Sequence, residues 1–76
     1  MLDIKQLQII DTMIQNPILT KTRLSEELDF TNRQIDYAIE KLNQQLVDNK
    51  MPQIDVDGAY INVPSESYQY LSLIHI

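Results

Sequence analysis

The strongest constraint on the fold is a regular apolar stripe in the middle of the chain. Five apolar residues recur there at positions i, i+3, i+4, i+7 and i+11, namely Ile35, Ala38, Ile39, Leu42 and Leu46. Residues with this spacing lie on one face of an α-helix. Thr31 and Gln34 stand in the Thr-x-x-Gln order of a capping box, which predicts that the helix begins at Thr31. The helix is predicted to end between Val47 and Asn49, and Pro52 blocks its continuation.

The segment from Leu2 to Asn16 is predicted to form the first helix of the chain. Pro17 stops it, because the residue before a proline is biased away from helical geometry. Its apolar residues form two lines on opposite faces, Leu7, Ile10 and Ile14 on one and Leu2, Ile9 and Met13 on the other. The second line either packs on the rest of the domain or meets another subunit or domain.

A second, shorter helix is predicted from Lys21 to Leu28. Thr20 can act as its N-cap, and the spacing of Leu24 and Leu28 places both side chains inward. Asp29 then provides the interhelical turn, because aspartate tolerates the left-handed backbone conformation better than most residues.

After Pro52 the apolar period changes from helical to the alternation of a β-strand. A short two-stranded hairpin is predicted, with its turn at Asp57-Gly58. The order of elements predicts a mostly α fold with a small β-hairpin, a winged helix-turn-helix with a three-helix core and a two-stranded wing over residues 1–64. Residues 65–76 are expected to be a tail or the start of a linker to a next domain, and their pattern fits a helix or a strand.

Composition excludes several classes of function. The chain has 76 residues, no cysteine, and one histidine, His75, beside its end, so neither a metal cluster nor a catalytic triad is expected. No apolar run approaches the roughly 18 residues that span a bilayer, and no signal-peptide pattern begins the chain. We therefore expect a cytoplasmic binding module that is not an enzyme and has no cofactor and no membrane contact.

The net charge of −5 argues against nucleic acid as a partner, because DNA-binding domains usually carry a basic patch. The distribution of charge matters more than the sum. Residues 51–76 contribute −3 of the total, whereas residues 20–50 contribute only −1. The charge therefore weakens the case for DNA binding without excluding it.

The third helix carries candidate DNA-contacting residues opposite its apolar stripe. Arg33 lies near the start of the helix, where it could bridge guanine O6 and N7, and Asn32 could pair with adenine or hold a phosphate. Tyr37 could stack on a sugar or touch a thymine methyl group, and Lys41 would serve a phosphate. Asp36 and Glu40 share this face. A carboxylate in such a position is more often solvated or repulsive to DNA than a reader of cytosine. The alternatives are that Arg33 is a solvated arginine paired with a neighbouring carboxylate and that Tyr37 covers apolar surface.

The beginnings of the second and third helices offer backbone amides that suit a phosphate. The candidate residues there are Thr20, Lys21 and Thr22 at the second helix and Thr31 at the third.

Two stretches of the chain resemble a known family. They are Leu19-Thr-Lys-Thr-Arg-Leu-Ser-Glu-Glu-Leu28 and Phe30-Thr-Asn-Arg-Gln-Ile-Asp-Tyr-Ala-Ile-Glu-Lys-Leu-Asn43. They resemble the N-terminal winged helix of phosphotransferase-regulated (PRD-containing) transcriptional regulators and the related module of Mga-like regulators. The resemblance covers roughly residues 4–64. The family's wing is usually glycine-rich and basic, whereas this chain has Asp55-Val-Asp-Gly-Ala-Tyr60 there.

The resemblance implies a DNA-binding module of a bacterial transcriptional regulator, with the third helix, about residues 31–47, reading the major groove of double-stranded DNA. It further implies a homodimer in the full-length protein, and contact with phosphotransferase-system proteins through domains outside this chain. The apolar end Leu71-Ser-Leu-Ile-His-Ile76 also predicts that the chain is a fragment of a longer protein. The alternative is a winged helix used for protein contact or dimerisation without DNA binding.

Overall fold

The computed structural model describes residues 4–16 and 18–74. Predictions about Leu2, Pro17 and His75 lie outside these residues. The elements follow in the order α1 (Ile4–Gln15), β1 (Leu19–Thr20), α2 (Lys21–Leu28), α3 (Asn32–Asp48), β2 (Asp55–Asp57), β3 (Tyr60–Asn62) and α4 (Ser65–Ile74). The prediction of a mostly helical protein with a small β component is confirmed.

Local signals place the beginnings of α2 and α3 as the sequence predicts. Thr20 Oγ1 accepts a hydrogen bond from the backbone amide of Arg23 at 3.0 Å. Both bonds of the capping box are present, because Thr31 Oγ1 accepts from the Gln34 amide at 3.1 Å and Gln34 Oε1 accepts from the Thr31 amide at 2.9 Å. Asp29, between the two helices, has the left-handed conformation with φ of 56°.

The end of α3 is a Schellman motif. The amide of Met51 donates to the carbonyl of Leu46 at 2.8 Å, and the amide of Lys50 donates to Val47 at 3.0 Å. Lys50 occupies the left-handed position that glycine usually fills, with φ of 60°. The motif reverses the chain and directs it toward β2.

The sheet is larger than the sequence predicts. Strands β2 and β3 form the expected hairpin, and Gly58 has φ of +62° at the first position of its two-residue turn. Strand β1 also pairs antiparallel with β3, with Leu19 opposite Ile61, so the sheet has three strands in the order β1-β3-β2. The prediction of a two-stranded wing was therefore incomplete, because a two-residue strand is too short to show an alternating pattern.

The core lies between the helices and the inner face of the sheet. It contains the five residues of the α3 stripe, as predicted, together with Ile9, Ile10, Met13, Leu19, Leu24, Ile54, Ile61 and Leu71.

The buried face of α1 combines the two predicted apolar lines. Ile9, Ile10 and Met13 are buried together with Gln6, which completes an i, i+3, i+4, i+7 pattern. Ile14 is 37% exposed, so Leu7, Ile10 and Ile14 do not form the buried face. A pattern of apolar residues alone does not reveal this face, because one of its four positions is a glutamine. Ile9 and Met13 pack within the domain, which was one of the two alternatives.

Residues 65–74, for which helix and strand were both open, form α4 on the same core. Leu71 is fully buried, and the buried Ser67 donates a hydrogen bond from its hydroxyl to the carbonyl of Pro52. Gln45 Nε2 of α3 donates to the Tyr70 hydroxyl at 3.3 Å. These contacts attach α4 to α3 and to the segment that follows α3.

Candidate nucleic-acid interface

A short, fixed turn joins α2 to α3. Only residues 29–31 separate the two helices. The Ser25 hydroxyl donates to the carbonyl of Phe30 at 2.9 Å, and the half-buried Phe30 ring packs against the core. The side of α3 opposite its buried stripe is consequently held open to solvent.

The outward face of α3 is polar apart from the Tyr37 ring and Val47, which is 46% exposed near the end of the helix. Its exposed residues include Arg33, Asp36, Tyr37, Glu40, Lys41 and Gln44. Tyr37 is 58% exposed, and its side chain lines a cleft with Ile4 and Ala38. These residues lie on the face predicted to point outward, because the buried stripe determines which side chains face solvent.

One edge of this face, toward α1, is basic. Lys5, Arg33 and Tyr37 line a cleft of about 470 Å³ together with Ile4, Gln34 and Ala38. Lys41 Nζ lies 5.3 Å from the centroid of the Tyr37 ring, in cation–π geometry. We call Lys5, Arg33, Tyr37 and Lys41 the Tyr37 edge. Within residues 4–16 and 18–74, none of its three cations makes an ion pair, so the structure does not show the expected alternative of a paired Arg33.

The other edge of the face, toward the hairpin, is acidic. Asp36 and Glu40 line a second cleft between α3 and the hairpin with Val47, Gln53 and Val56. Lys21 Nζ lies 2.7 Å from Asp36 Oδ1, so Lys21 is neutralised across the α2–α3 contact. We call Asp36, Glu40 and Val56 the hairpin edge. The two edges of α3 therefore carry opposite charge.

The predicted site residues fall into separate groups. Thr20 and Thr31 serve as helix caps, and Lys21 and Asp36 are paired with each other. Thr22 and Asn32 share a cleft with Lys21, Gly58 and Ala59 near the hairpin turn. Arg33, Tyr37 and Lys41 lie on the Tyr37 edge.

Sequence reasoning missed Lys5, which belongs to the same edge. Its ammonium group lies 5.8 Å from the centroid of the Phe30 ring, and its side chain borders the cleft of Arg33. No motif marks Lys5, because its neighbours in space are 25 or more residues away along the chain. Only the packing of α1 on α3 places it there.

A side-chain clamp holds the hairpin segment against α3. Asn43 Nδ2 donates to the carbonyl of Ile54 at 3.1 Å, and the amide of Ile54 donates to Asn43 Oδ1 at 2.7 Å. The carboxamide thus pairs with both backbone groups of one residue, as a neighbouring strand would. This contact fixes where the hairpin begins relative to the exposed face of α3.

The chain matches none of the protein-family models, curated proteins or solved structures with which it was compared. Residues 4–16 and 18–74 contain no helix long and apolar enough to cross a bilayer. These same residues bring together no group of three or more His, Cys, Asp or Glu side chains that could hold a metal ion.

Proposed function

We propose that this chain is the DNA-binding module of a cytoplasmic bacterial transcriptional regulator. In this proposal the fold is a winged helix-turn-helix, α2 and α3 are the helix-turn-helix pair, and the hairpin is the wing. In this proposal the full-length regulator is a homodimer, and any contact with phosphotransferase-system proteins is made through domains outside this chain.

The observation that carries the proposal is the exposed first half of α3. Helix α3 has 17 residues and is about 25 Å long at 1.5 Å per residue, enough to cross a major groove about 12 Å wide. Arg33 lies in its first turn, unpaired with any described carboxylate, and Tyr37 stands one turn further on the same face.

The exposed residues have distinct roles in this proposal. Arg33 reads guanine through O6 and N7, and Tyr37 contacts a thymine methyl group or a sugar. Lys41 binds a phosphate, and Thr22 and Asn32 meet the backbone at the beginnings of α2 and α3. Asp36 is the partner of Lys21 and is not assigned to a base.

Arg33→Ala and Arg23→Ala form a matched pair of variants that tests this assignment. Each removes one exposed arginine, but Arg23 on α2 is paired with Glu27 at 3.2 Å, outside the proposed groove contact. Binding is measured on a duplex that the protein selects from a random pool. Arg33→Ala should weaken binding by roughly 1–3 kcal/mol, and Arg23→Ala should leave it nearly unchanged.

Two outcomes would contradict the proposal. The first is that the random pool yields no enriched sequence. The second is that both arginine variants bind equally well, which would show that α3 does not read the bases.

A second candidate function is contact with another protein, which the hairpin edge favours. Its carboxylates would repel phosphates, while Val56 and the 59% exposed Tyr60 offer apolar surface on the hairpin. An amide NMR titration with duplex DNA separates the two functions. If the amides of α3 do not respond at any salt concentration, protein contact becomes the better explanation.

A further inference from the structure

The positive charges of this acidic chain are unevenly distributed. Two of its six lysines and arginines are neutralised, Lys21 by Asp36 and Arg23 by Glu27. The other four make no ion pair within the part of the chain that the structure describes, and three of these four belong to the Tyr37 edge.

Two helices supply this group of cations. Lys5 comes from the first turns of α1, and Arg33 and Lys41 flank Tyr37 on α3. Lys5 and Arg33 line one cleft, and Lys41 lies over the ring that borders it. The side chains therefore present three positive charges around one exposed aromatic ring.

The hairpin side of α3 carries the opposite charge. Asp36 and Glu40 line the cleft there, and Asp55 and Asp57 are exposed on β2. Lys21, which reaches across from α2 and is only partly exposed, is already paired with Asp36. A phosphate strand in this cleft would meet the carboxylates of Asp36 and Glu40, of which Asp36 is paired with Lys21.

We propose that DNA bound by α3 places a phosphate strand along the Tyr37 edge, that Lys5 of α1 contacts a phosphate, and that strand β2 of the hairpin stays off the DNA. This inference rests on the proposed function and adds to it a contact residue and an orientation. Exposed charges act over about 10 Å at 0.1 M salt, so the three cations favour a strand on their own side of α3.

The test compares Lys5→Gln and Lys50→Gln, which each remove one positive charge, with Lys5→Arg, which keeps it. Lys5→Gln removes the proposed contact, and Lys50→Gln removes an exposed lysine beyond the end of α3 that forms no ion pair with any described residue. Affinity for a mixed-sequence duplex of about 20 base pairs, two helical turns, is measured at several salt concentrations. Amide shifts are followed at the hairpin and in α1.

Loss of one phosphate contact makes the negative slope of log affinity against log salt concentration shallower by about 0.9. At 50 mM salt this corresponds to a roughly tenfold lower affinity. We expect this loss for Lys5→Gln, near-complete recovery for Lys5→Arg, and little change for Lys50→Gln. The amides at the beginning of α1 should shift on adding DNA, and those of Asp55 to Asp57 should not.

Other results overturn the inference in distinguishable ways. If the protein binds DNA but Lys5→Gln behaves like Lys50→Gln, or the amides of Asp55 to Asp57 shift strongly, the orientation is wrong and the proposed function stands. If the duplex binds at no salt concentration and the α3 amides stay unchanged, the inference and the proposed function both fail.

Discussion

Replacing Asn43 by alanine should detach the hairpin segment from α3. The Asn43 carboxamide satisfies both the amide and the carbonyl of Ile54, and the Ile54 side chain is buried at 5% exposure. Alanine leaves both backbone groups without this partner. The variant leaves the apolar stripe unchanged. Its effect on the free energy of unfolding therefore reports the contribution of the two Asn43–Ile54 hydrogen bonds.

The expected cost follows from the two lost hydrogen bonds. A buried donor or acceptor left unsatisfied costs about 1–3 kcal/mol, and water can reach part of this site, so we expect a total of about 2–4 kcal/mol. A chain of 76 residues has a free energy of unfolding of about 4–11 kcal/mol. The loss should lower Tm by roughly 10–30 °C for a domain of this size.

Thermal unfolding and amide hydrogen exchange measure this effect, with Gln44→Ala as the control. Gln44 is the next residue on α3, and its side chain bonds only to the exposed Asp48, so its loss should stay within about 0.5 kcal/mol. In the unaltered protein the Ile54 amide should be protected although it lies outside every strand. An unprotected Ile54 amide, or equal stability of the two variants, would refute the reasoning.

Two further predictions concern α4 and the end of α3. Leu71→Ala should destabilise the whole domain by about 2–5 kcal/mol in a single unfolding transition. Leu73→Ala on the same helix should have little effect, because Leu73 is 73% exposed. A separate, earlier unfolding of α4 alone would contradict a shared core. Lys50→Gly should raise the free energy of unfolding measured in urea by about 0.5–1 kcal/mol, because the backbone of Lys50 is left-handed. An unchanged or lower free energy of unfolding would show that the left-handed strain is absent.

The elements that sequence reasoning predicted correctly are those whose causes lie within a few residues. The capping box of Thr31 and Gln34, the Thr20 cap and the left-handed Asp29 each depend on contacts at most three residues apart. The buried stripe of α3 is equally local, because helical geometry alone decides which side chains share a face. The outward residues Arg33 and Tyr37 follow from the same geometry.

Tertiary structure decided everything that depends on residues distant in the chain. Strand β1 exists only because Leu19 meets Ile61, 42 residues later, and Asn43 reaches Ile54 only after the turn that follows α3. The opposite charges of the two edges of α3 also depend on residues that are distant in the chain. Lys21 and Asp36 neutralise each other, and Lys5 joins Arg33, because packing brings separate helices together. Short-range patterns thus determined α2, α3 and the exposed face of α3, and long-range packing decided the buried face of α1, the state of residues 65–74 and which charges on α3 remain unpaired.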